Sequence, residues 1–127
     1  MHESPSASEI LGIVGRYLNE VAGPGLTGQA AFHARVAANA LAIIARELEQ
    51  RPSADAQEKA RLVELIGQEG TVPELNAALC AAIANGTLSL ATPGLFAHLD
   101  ATTIAQVSID QPKYAGLALA KARQMAA

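Results

Sequence analysis

The side chains able to do chemistry in this chain fall on three stretches. Between Ala31 and Glu49 lie His33, Arg35, Asn39 and Glu47. Between Leu75 and Ala84 lie Asn76 and Cys80, and between Leu95 and Asp110 lie His98, Asp100 and Thr103. A histidine titrates near neutral pH and serves as acid, base or metal ligand. An arginine grips a carboxylate or phosphate with a planar fork of donors. A pocket lined by His33, Arg35, Asn39, Asn76 and Thr103, with Asp100 or Glu47 orienting the imidazole, would be a small-molecule binding or catalytic site. The same residues also fit a structural network or a wet dimer seam, in which buried polar groups satisfy one another.

Metal and nucleotide chemistry find no pattern. A di-iron bundle needs Glu-x-x-His pairs, and the residues three before His33 and His98 are Ala30 and Leu95. Gly23-Pro24-Gly25 lacks the later glycine, the lysine and the flanking strand of a phosphate loop, so it reads as a turn between helices. No Gly-x-Ser-x-Gly elbow is present. Cys80 lies inside a helical stretch and reads as a small buried hydrophobe. His98 reads as a surface residue and His2 as tail. No metal and no cofactor are expected.

Helices must hold these groups, because helix signals recur and strand alternation does not. Ser6-Ala-Ser-Glu9 is a capping box ahead of Ile10, Val14, Leu18 and Val21, which predicts a helix over about Ser8 to Val21 stopped by Gly23-Pro24-Gly25. The next helix starts near Thr27 or Gly28 and ends near Gln50, before Arg51-Pro52. At about 100° per residue, Phe32, Ile43, Val36, Ala40, Ile44, Ala37, Leu48 and Leu41 cover about half the circumference, which predicts a central helix with several neighbours. His33 projects between Ala40 and Ile44 on that arc, and Glu47 between Val36 and Ala40. Ser53 is read as the N-cap of a third helix ending at Gly67, with Glu58, Arg61 and Glu64 on its solvated side. Thr71-Val-Pro-Glu74 is a second capping box. That helix closes at Asn85-Gly86, and Leu88 and Leu90 then tuck inward. Thr92 with Pro93 opens a fifth helix to about Asp110, and Tyr114 onward forms a last one.

The 127 residues fit a single all-α domain, a bundle of five or six mostly antiparallel helices spanning 1–127. Residues 1–7 are its tail, and 120–127 are an end free to fray. Half the residues are hydrophobic, 3% are aromatic and 28 are alanine. Alanine favours helix but leaves little side chain to bury, so a homodimer is expected. A net charge of −3 and a pI near 5.5 argue against nucleic acid as a partner. No stretch approaches the length of a membrane span, and a soluble, cytoplasmic protein is expected.

The stretch Ala31 to Glu49, together with Leu75 to Cys80, Ala101 to Ala105 and Ile109 to Tyr114, resembles a bacterial family of small helical domains of unknown function. The likeness runs in order from about Glu9 to Leu119. The matching residues include Phe32, His33, Arg35, Asn39 and Glu47, then Asn76 and Cys80, then Thr102, Thr103, Asp110 and Tyr114. Asp100 is a position where the family varies. The resemblance implies a role beside aminoglycoside-phosphotransferase-like kinases and acyl-CoA dehydrogenases, in a catabolic route that phosphorylates hydroxy acids or their acyl-CoA forms. It supplies no catalytic residue.

The leading expectation is a non-enzymatic accessory protein that docks such a kinase, or an acyl-CoA dehydrogenase, through exposed apolar helix faces. One alternative is the polar pocket around His33, and another is a purely structural homo-oligomer.

Overall fold

The computed structural model describes residues 4–127, so His2 and the first three residues of the expected tail lie outside the described residues. The fold is all-α: α1 (Ala7–Tyr17), α2 (Gly28–Ile66), α3 (Val72–Ala84), α4 (Leu95–Asp110) and α5 (Ala115–Ala126), with no strand among the described residues. The chain divides into two compact units at Arg51 and Pro52.

In the first unit, α1 begins with the expected capping box. Ser6 Oγ accepts from the Glu9 N–H at 3.2 Å, and Glu9 Oε2 accepts from the Ser6 N–H at 2.6 Å. The Ser6 backbone N–H, and after it the Ser6 hydroxyl, act on the Glu9 carboxylate and lower its pKa. The helix does not stop at Val21. It widens into a π-helical turn over Leu18–Ala22 and tightens into a 3-10 turn over Gly23–Gly25. The Gly23 N–H reaches back five residues to the Leu18 carbonyl. A Cβ on Gly23 would stand 2.6 Å from that oxygen, so the close approach requires glycine.

Helix α2 corrects the expectation of two helices, since it runs unbroken through Pro52. A proline inside a helix loses one N–H bond and crowds the carbonyl four residues back. Pro52 and Leu48 are both exposed, which leaves the cost local. Ser53 caps nothing; its Oγ accepts from the Gln57 side chain at 3.1 Å.

The buried face of α2 in the first unit also differs from expectation. Ala34 and Ala38 are the buried residues there. Glu49, on the same face by helical spacing, accepts from Ser8 Oγ of α1. The larger Phe32, Val36, Ile44 and Leu48 stay about half exposed.

The second unit holds the leucine core. Leu62, Leu75, Leu79 and Leu95 are buried together, with Val63, Leu65, Ile66, Val72 and Leu88 packed against them. Thr71 caps α3 as expected: its Oγ1 accepts from the Glu74 N–H, and Glu74 Oε2 accepts from the Thr71 N–H at 2.8 Å. Asn85 ends α3, and Gly86 takes a left-handed φ of 81°. Leu88 turns inward but Leu90 is 80% exposed. Thr92 does not open α4. Its Oγ1 accepts from the Ser89 N–H at 2.9 Å, closing a turn, and α4 starts at Leu95 behind Gly94, whose φ is 87°. On α5, Leu117 is buried, and Arg123 bonds Asp100 of α4.

Replacing Pro52 with alanine restores a helix-interior N–H. Pro52→Ala should therefore raise the unfolding free energy by about 1–3 kcal/mol in urea denaturation. An unchanged or lower value would mean that Pro52 opens a separate helix. Leu62→Ala, which opens the core, should cost about 2–5 kcal/mol in the same measurement.

Candidate functional site

The polar residues that the structure brings together are in the second unit. Arg61 on α2 donates from Nε to His98 Nδ1 at 3.3 Å and from Nη2 to Thr102 Oγ1 at 3.2 Å, both on α4. One turn back on α2, Glu58 Oε1 accepts from Asn76 Nδ2 of α3 at 2.8 Å. His98 is 1% exposed, while Arg61, Glu58, Asn76 and Thr102 are half-buried. Among the described residues no buried side-chain nitrogen or oxygen lacks a partner.

The electrostatics fix the state of His98. Burial lowers its pKa first, the Arg61 guanidinium lowers it further, and Glu58 opposes with a smaller upward pull. The imidazole is therefore neutral at neutral pH. Because Arg61 donates to Nδ1, the ring proton sits on Nε2. Beside this cluster Arg61 also lines an open groove of about 470 Å³, whose other walls include Glu64, Leu65, Thr92, Pro93 and Ala97.

The burial of His98 corrects its reading as a surface residue. Leu95, His98, Thr102, Ala105 and Ile109 recur at three- and four-residue spacing and form the inward face of α4. Phe96 and Leu99, on the same helix, are 59% and 39% exposed. Arg61 and Glu58 belong to the same correction: they flank the buried Leu62 and are half-buried. The signal was the spacing on α4, hidden because a histidine, a threonine and an alanine occupy three of its five positions.

The five residues proposed from sequence are placed as follows. His33, Arg35 and Asn39 are exposed on α2 in the first unit. His33 lies about 160° around the helix from Arg35 and about 120° from Asn39 at 100° per residue. Its ring meets Phe32 at 5.8 Å between centroids. Asn76 is half-buried and bonds Glu58. Thr103 is exposed and donates to the Leu99 carbonyl at 2.8 Å. Glu47 and Asp100, the expected orienters of His33, accept from Arg51 and Arg123 instead. Cys80 is exposed rather than buried. Among the described residues no group of three or more His, Cys, Asp or Glu could hold a metal ion. No described helix is long and apolar enough to cross a membrane.

The fold and this cluster define a small all-α domain with a leucine core and a satisfied arginine–histidine pair. The chain belongs to the family described as a domain of unknown function (DUF6285), which matches residues 24–114. The match holds α2, α3 and α4 and with them every residue of the polar cluster; α1 and α5 lie outside it. No curated protein and no solved structure matches the chain.

Two outcomes follow from the state of His98. Below about pH 6.5 the unfolded chain binds a proton that folded His98 resists, so stability falls as pH falls. Thermal midpoints of the wild type should drop from about pH 7.5 to about pH 5.5 more steeply than those of His98→Asn, which keeps an acceptor for Arg61 but cannot titrate. Equal slopes would remove His98 from the pH response. Arg61→Ala strands the buried Nδ1 and should cost about 1–3 kcal/mol by urea denaturation.

Proposed function

We propose that this protein is a non-enzymatic helical accessory protein that docks a partner protein on the apolar faces of its first unit. The observation that carries this reading is the lack of large buried side chains there. Ile10, Val14, Tyr17 and Val21 on α1 and its π-helical extension, and Phe32, Val36, Ile44 and Leu48 on α2, are 42% to 63% exposed. The four from Ile10 to Val21 follow a four–three–four spacing, the seam repeat of paired helices. Apolar side chains repeating along an exposed helix face are the kind of surface that a protein partner covers.

The partner class is the one the sequence resemblance supplies, a phosphotransferase-like kinase, or else an acyl-CoA dehydrogenase. The setting proposed is a bacterial cytoplasm, with the protein itself a homodimer. The acidic net charge of −3 supports a protein rather than a nucleic acid as the partner.

The test is size-exclusion chromatography with light scattering, using this protein alone and mixed with the kinase-like protein or the dehydrogenase. A complex at micromolar concentration is expected. Val36→Lys combined with Ile44→Lys should abolish it while the thermal midpoint stays within a few degrees, because both side chains are half exposed. Independent migration of the two proteins would defeat the docking reading. A doubled mass that the paired substitution reduces to a monomer, with no hetero-complex, would establish the structural homo-oligomer instead.

A further inference from the structure

The second unit carries a half-buried cation that makes no direct ion pair among the described residues. Arg61 is half-buried, and its two hydrogen bonds go to neutral acceptors, His98 Nδ1 and Thr102 Oγ1. Among the described residues no carboxylate stands within ion-pair distance of it. Glu58, one turn away on the same helix, is engaged with Asn76. A guanidinium has five N–H donors, of which two are used here. The same arginine lines the groove beside the start of α4.

We propose that this groove binds a small organic anion carrying a single carboxylate, with Arg61 as the anchor. His98 and Thr102 hold the guanidinium from behind, so its orientation is set before a ligand arrives. His98 does this without adding a second positive charge. Leu65, Pro93 and Ala97 offer a short apolar wall for a few carbon atoms next to the carboxylate. Glu64, exposed at the edge of the groove, repels every negative charge a ligand brings, so a singly charged carboxylate is tolerated better than a phosphate. The site lies in the second unit and does not depend on the docking faces of the first.

The experiment is an amide-correlation NMR titration of the full chain with butyrate, with butyramide and inorganic phosphate as parallel arms. Butyrate should give saturable shifts at Gly94, Ala97 and the Arg61 Nε–H, and butyramide should give none. Arg61→Lys keeps the charge but loses the fork, and should weaken butyrate by at least about tenfold. Glu64→Gln alters an exposed residue and leaves the fold intact. It should tighten butyrate several-fold and admit phosphate. The proposal is overturned by the absence of a saturable butyrate shift, by equal shifts with butyramide, or by phosphate binding the wild type more tightly than butyrate. Butyrate affinity unchanged in both variants would overturn it as well.

Discussion

Side-chain volume is what this sequence has least of, and most features of the structure follow from that shortage. With 28 alanines among 127 residues and 3% aromatics, helix formation is favoured nearly everywhere but burial is not. Apolar burial stabilises by about 25 cal/mol per Å², so a face made of Ala34 and Ala38 contributes far less than one made of leucines. The second unit concentrates its large side chains in one place, at Leu62, Leu75, Leu79 and Leu95. The first unit turns its alanines inward and leaves Phe32, Val36, Ile44 and Leu48 half exposed. Alanine allows close approach, and the larger residues remain about half exposed.

Against so small a core, polar groups carried inward weigh heavily. An unsatisfied buried donor or acceptor costs about 1–3 kcal/mol, comparable with the loss of a leucine. The inward face of α4 carries His98 and Thr102, and α2 answers both with one residue, Arg61. This arrangement leaves no buried polar atom without a partner among the described residues. It also specifies register: sliding α4 against α2 by one turn would strand His98 as well as Arg61. Leucine contacts tolerate such a slip far better than directed hydrogen bonds do.

Local chemistry was the legible part of the sequence. The capping boxes at Ser6 and Thr71 form as read, because each is closed within four residues and needs no tertiary context. The all-α class follows from helical spacing and the lack of alternation. Pro52 misleads because proline usually breaks a helix interior, whereas α2 carries it within an unbroken helix at an exposed position. On α2 the arc chosen by hydrophobicity is not the arc buried, since alanine scores weakly and yet packs closely. Arg61 and Glu58 look like a solvated charged face in the sequence. Their partners, His98, Thr102 and Asn76, come from α4 and α3, a long-range pairing that no local pattern announces.

The geometry of His98 also bears on what kind of chemistry the cluster supports. A general acid or base must exchange a proton with a bound reactant, and its pKa works best near the operating pH. His98 is 1% exposed, its Nδ1 lone pair is occupied by Arg61, and both burial and that arginine push its pKa down. Each of these features takes the imidazole away from proton transfer and makes it a fixed acceptor. What it fixes is the guanidinium, the one group in the cluster that also reaches the groove. His98 is accordingly a positioning residue. The recognition chemistry of this unit rests on Arg61, whose planar guanidinium presents a fork of donors.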